Sequence, residues 1–226
     1  MGFLIYFIII MAVPLLIQLY LRNTYNKYSN VGTSSGITGA EAARRVLDEN
    51  GLYHVKVEAV RGKLTDHYDP RSKTVRLSQD NYYGNSIAAI SVATHECGHA
   101  VQDQVNYAPL RIRHALVPVA NWGSNLSFFF ILAGILMQAS GMLLLGIVFF
   151  AASVLFQVVT LPVEYNASSR AHDFMVSSGM IRNNEEGGAR KVLNAAALTY
   201  VAATIVAIME LLRFILMFTG MNNSEE

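Results

Sequence analysis

Apolar residues gather in three long blocks separated by segments of mixed polarity. Gly2 to Tyr20 carries no charged residue, and neither does Ala115 to Val163. At about 20 residues per bilayer crossing, the second block fits two spans with a turn near Gln138-Ala139-Ser140-Gly141. The last block runs from Val192 to Phe218 and is interrupted late by Glu210 and Arg213, an i, i+3 pair. A helix counted from Val192 puts that pair near the far interface, where it can snorkel. The pattern predicts four transmembrane helices, at 2–20, 115–138, 142–163 and 192–218. The first lacks a basic flank before it and a small-x-small cleavage site before Arg22, so it reads as a retained anchor.

The intervening segments carry other periodicities. Arg22 to Ile37 is polar and rich in Ser, Asn and Gly, which reads as a surface linker. Thr38-Gly39-Ala40-Glu41 is a capping box, followed by Ala43, Val46 and Leu47 at helical spacing and by Gly51 as a stop. His54 to Val60, Leu64 to Tyr68 and Thr74 to Leu77 read as strands, the last two joined by the turn Asp69-Pro70-Arg71-Ser72. Gly84 to Gln104 reads as a helix with Ile87, Ile90 and Val92 on its apolar faces. Segment 21–114 is thus a small α+β domain, and 164–191 a helix and loop on the same side of the bilayer, with both termini on the other.

Composition agrees with a membrane protein: 53% of the 226 residues are hydrophobic and 15% charged. Of 17 Lys and Arg, all but Arg213 lie in the two polar segments. The positive-inside rule makes that side cytoplasmic, in a multi-pass protein of the plasma or inner membrane. A lone cysteine, Cys97, excludes an internal disulfide framework, and a net charge of +1 gives no argument for nucleic acid.

The chemistry concentrates in His95-Glu96-Cys97-Gly98-His99. Residues four apart share a helical face, so His95 and His99 can hold one metal ion, and the neighbouring Glu96 can take a proton from an attacking water. A catalytic zinc has three protein ligands and one open position, so a third is required. Glu164, directly after the uncharged block, is a candidate; it equally marks the interface where charges resume.

The segments Asp66-His67-Tyr68-Asp69-Pro70, Ala93-Thr94-His95-Glu96-Cys97-Gly98-His99-Ala100-Val101-Gln102-Asp103, Tyr107-Ala108-Pro109-Leu110 and Pro162-Val163-Glu164-Tyr165-Asn166-Ala167-Ser168 together resemble the YugP-like family of membrane zinc metallopeptidases. More distantly, Glu164-Tyr165-Asn166-Ala167 resembles the third-ligand segment of the HtpX heat-shock protease and the CAAX prenyl proteases. The resemblance implies a zincin-like catalytic domain of the gluzincin kind on an α-helical membrane base. It also implies one catalytic Zn2+ held by His95, His99 and Glu164, with Glu96 as general base. In the distant relatives an Asp commonly stands four residues after the ligand Glu, where this chain has Ser168.

That departure leaves the support of the ligand imidazoles to another residue, and Asp103, one turn after His99, is a candidate. Donors for a developing oxyanion could be His172, Arg170, Tyr165 or His67. The competing expectations are an Arg170–Asp173 pair at i+3, a turn role for His67 and a packing role for His172. Thr74 to Ser78 is expected to be an edge strand able to pair with an extended peptide. The expected partners are the bilayer and a membrane-associated or damaged protein or peptide substrate, with room for a regulatory partner; the sequence leaves open whether the 22–37 linker or a partner protein gates access. The alternative function is a non-catalytic membrane scaffold or chaperone with a structural zinc. An intramembrane protease fits less well, because Asn81, Asn85, Gln102, Asp103 and Gln104 surround the motif, and a transporter has too few ionisable residues in its spans.

Overall fold

The computed structural model describes residues 2–225. It is mostly helical with one small sheet, and four of its helices are long and apolar enough to cross a membrane. The chain divides into two units. One comprises Met1–Tyr107 with Val163–Thr199, and the other Ala108–Pro162 with Tyr200–Glu226.

In the first unit, α1 (Gly2–Ser29) continues well past the apolar block. The predicted linker is therefore helical over its first residues. The reason is visible in Tyr25, which is buried and donates its hydroxyl to Asn81 Oδ1 at 2.7 Å, giving the helical end a tertiary partner. The loop that follows is also anchored. Gly32 bridges Ser86, Thr33 N–H donates to Asn85 O, and Ser34 N–H donates to the Glu185 carboxylate at 2.7 Å.

Helix α2 (Gly39–Glu49) begins at the predicted capping box: Thr38 accepts from Glu41 N–H while the Glu41 carboxylate accepts from Thr38 N–H. Its apolar face buries Ala42, Ala43, Val46 and Leu47 completely, and a fully buried Leu or Val contributes about 1.5–3 kcal/mol. Gly51, at φ +71°, turns the chain back from that helix.

The sheet departs from expectation. Strands β1 (Lys56–Val60), β2 (His67–Asp69) and β3 (Thr74–Ser78) lie in the order β1-β3-β2. β3 pairs parallel with β1 and antiparallel with β2, so both of its edges are used and it cannot accept a peptide. Its burial explains the position, since Val75 and Leu77 are fully buried where β1 is mostly exposed.

The predicted helix at 84–104 is preceded by a short α3 (Gln79–Tyr83) and begins later, as α4 (Ile87–Gln104). Ser86 sets the start, its hydroxyl accepting from Ala89 N–H at 3.1 Å. Ile90, Ala93, Cys97, Ala100 and Val101 of α4 join Val46, Leu47, Val75 and Leu77 in one core. Met175 and Leu193 complete it from the later helices.

In the second unit, α5 (Ala108–Leu136) and the early part of α6 (Ser140–Ser177) turn at 137–139, as the polar break suggests. Their backbones approach closely at glycines. A Cβ on Gly134 would meet Leu143 N at 2.6 Å, and one on Gly146 would meet Ile131 N at 2.7 Å.

α6 runs without a break from apolar residues into Glu164 and Ser168, and the division between the two units falls within it, at 162/163, beside the predicted boundary. Helix α7 (Asn183–Glu225) likewise starts in the predicted loop. Its residues Val192, Leu193, Ala195 and Ala197 are buried in the first unit, which ends at Thr199. Further along the same helix stand Glu210 and Arg213, paired at i, i+3.

Candidate metal centre

Helix α4 presents its motif as helical geometry requires. Cys97 turns into the core, where burial pushes its thiol up, out of reach of thiolate chemistry. His95 and His99 face the other way, their rings 4.8 Å apart between centroids at 86°. The later part of α6 lies across this face at Gly98, where a Cβ would come within 2.8 Å of Ala167 O. Only a residue without a side chain lets the two backbones meet there, and the crossing delivers Glu164 to the histidines.

Glu164 is almost fully buried. Its Oε2 lies 3.3 Å from His95 Nε2 and 3.6 Å from His99 Nε2, and makes no hydrogen bond among the described residues. One donor atom from each of the three residues falls within 4.8 Å of the others. A buried carboxylate oxygen left unsatisfied in this way is costly unless something positive completes it. Two imidazole nitrogens and a carboxylate oxygen suit zinc, and the residues present therefore fit the ion.

The far nitrogens of both imidazoles are engaged. His95 Nδ1 lies 3.2 Å from Ser168 Oγ, and His99 Nδ1 lies 3.0 Å from Gln102 Oε1. Such partners fix ring orientation and leave Nε2 to face a metal. Glu96 is buried, and burial pushes its carboxyl above the usual carboxylate range; His95 and His99 pull it down, while Glu164 and Asp66 push it further up. Burial alone would lower the His99 pKa, but the adjacent Glu164 carboxylate and then Glu96 raise it overall.

The remaining candidates disperse. Asp103 is buried but bonds Lys73 Nζ and the Tyr68 hydroxyl, and the residue on His99 Nδ1 is its neighbour Gln102. Arg170 donates from Nε to Asn166 Oδ1 at 2.9 Å and not to Asp173. His172 lies 3.5 Å from Glu186 and 3.7 Å from Asp173, an arrangement around the start of α7. His67 is exposed on β2, its Nδ1 2.8 Å from Thr65 O, and Tyr165 is exposed on α6. Sequence reasoning passed over Gln102 and Asn166. The available signal was position, because Gln102 lies three residues after His99 and shares its helical face as well as Asp103 does.

Four long apolar helices, together with two imidazoles and a carboxylate gathered around one point, define the class: a membrane protein with a candidate zinc centre. Residues 3–219 match the family described as "putative neutral zinc metallopeptidase", and the chain belongs to it. It is similar to the "Putative membrane protease YugP" of Bacillus subtilis (strain 168), with 57% identity over 201 residues that cover 89% of each chain. No solved structure matches the chain.

Proposed function

We propose that the protein is a zinc-dependent endopeptidase of the membrane, acting at the cytoplasmic surface through a gluzincin-type centre on a zincin-like domain. The observation that carries this reading is the unsatisfied Glu164 Oε2 between two imidazole Nε2 atoms, with Glu96 directly after His95 on α4. A zinc ion held by His95, His99 and Glu164 would supply Lewis acidity toward a peptide carbonyl and acidify the attacking water. Glu96 takes the proton of that water and returns it to the amine nitrogen that leaves. Ser168 and Gln102 hold the imidazoles in place.

Glu164 directly follows the apolar stretch of α6, so the substrates favoured are membrane proteins or their cytoplasmic segments. The unpaired strand edges belong to β1 and β2, and β2 is tied to α4 through Tyr68 and Asp103. The β2 edge is accordingly the one able to offer backbone pairing to an extended peptide. The scaffold reading needs a closed site with four protein ligands, whereas the cluster holds three among the described residues.

The test is cleavage of an unstructured protein by detergent-purified, zinc-supplied material beside Glu96→Gln. The wild type should cut. The variant should retain equal zinc and lose about 10²–10⁴-fold in rate. Equal zinc and no cleavage by either protein on a broad substrate set would favour the scaffold.

A further inference from the structure

We propose that Gln102, polarised by Asn166 and Arg170, is a positioning residue that locks His99 in the tautomer able to bind metal through Nε2. The inference rests on the zinc reading above and extends it to residues that touch neither metal nor substrate.

Hydrogen-bond direction fixes how the Gln102 amide lies. Gln102 is completely buried, so no solvent can stand in for a wrongly oriented amide. Its nitrogen lies 2.8 Å from Val163 O and 3.0 Å from Asn166 Oδ1. A backbone carbonyl only accepts, so the amide nitrogen must face it. Asn166 Oδ1 is fixed in turn, because Arg170 Nε can only donate and sits 2.9 Å away. If Asn166 turned over, its amino group would confront both the guanidinium and the Gln102 amino group.

With both N–H bonds of Gln102 spent on acceptors, Oε1 is left to face His99 Nδ1 at 3.0 Å. Nδ1 must then carry the proton, which leaves the lone pair on Nε2, 3.6 Å from Glu164 Oε2. Proton placement on His99 is thus set by a carbonyl of α6 at one end of the chain and a guanidinium at the other. Val163, Asn166 and Arg170 share α6 with Glu164. The helix that brings the carboxylate ligand also determines which nitrogen of the imidazole is available.

The test is a double-mutant cycle on zinc affinity, measured by chelator competition on the full chain in detergent, with far-ultraviolet circular dichroism as the check on folding. Gln102→Met keeps the side-chain length and removes the hydrogen bonds. It should weaken zinc binding by about 10–100-fold. Arg170→Met lies farther from the ligands and should weaken binding several-fold. In the Gln102→Met background it should add nothing, because the chain it polarises is already cut. Wild-type affinity in a folded Gln102→Met protein, or strictly additive effects, would overturn the proposal. Should Gln102→Met not fold, wild-type affinity in Arg170→Met overturns it instead. Failure of the wild type itself to bind zinc would remove the underlying zinc reading, an outcome distinct from binding that the variants leave unchanged.

Discussion

Gly98 and Ala167 meet backbone to backbone, so that a Cβ on Gly98 would stand 2.8 Å from the Ala167 carbonyl oxygen. The contact falls between the two histidines on one helix and beside the carboxylate on the other. The distance between α4 and α6 at this point sets the separation of His99 from Glu164.

Gly98→Ala should therefore push the helices apart. We expect a loss of about 1–3 kcal/mol in stability, as for overpacking elsewhere, and a weaker zinc site. Thermal unfolding of metal-free protein and chelator competition measure the two effects. Gly187→Ala is the control: nothing lies within 4 Å of its added Cβ, so it should leave zinc affinity unchanged and stability equal to wild type or higher by up to about 1 kcal/mol, the helix preference for Ala over Gly.

The Ser168 hydroxyl lies 3.2 Å from His95 Nδ1 and supports that imidazole. Ser168→Ala should lower zinc affinity by about tenfold, while Ser168→Asp should retain it because a carboxylate accepts the same N–H. Equal affinity in the serine and alanine proteins would show that His95 needs no partner.

Asp69 closes the turn after β2. The Ser72 hydroxyl, then Arg76, then Arg71 N–H hold its carboxyl well below the usual carboxylate range. A carboxylate depressed in the folded state adds stability that is complete above its unfolded pKa, about 4, and disappears as pH falls through the folded value. Asp69→Asn should accordingly be less stable than wild type at neutral pH, and the gap should close on acidification below about pH 4. Denaturant unfolding across pH checks the sign.

Glu210 accepts two hydrogen bonds from Arg213, at 2.6 and 3.0 Å, within the apolar part of α7. Arg213 also lines a cavity of about 370 Å³ with Ser127, Phe128, Ile131 and Phe150. Removing the carboxylate alone costs more than removing both charges, since a cation in an apolar stretch then loses the anion 2.6 Å away. Glu210→Gln should reduce folded yield and unfolding temperature in detergent more than Glu210→Gln with Arg213→Gln. The reverse order would contradict the pairing.

Much of this protein is local and could be read in order along the chain. Four apolar runs of spanning length, the Thr38 to Glu41 cap and the i, i+4 spacing of His95 and His99 each depend on residues a few positions apart, where helical geometry alone sets who shares a face. What sequence left open depended on partners far away. Whether β3 is an edge or a centre depends on a parallel pairing with β1 across a long connection, which periodicity within one strand does not encode. Whether Asp103 or Gln102 supports His99 depends on the side from which α6 approaches, since i+3 and i+4 flank the same face almost equally. The chain by itself determined the membrane helices and a two-histidine motif with its glutamate. Only the tertiary structure, through the close crossing of α4 and α6 at Gly98, decided that Glu164 meets those histidines and that Ser168 and Gln102 hold them, because such contacts join segments that sequence proximity does not link.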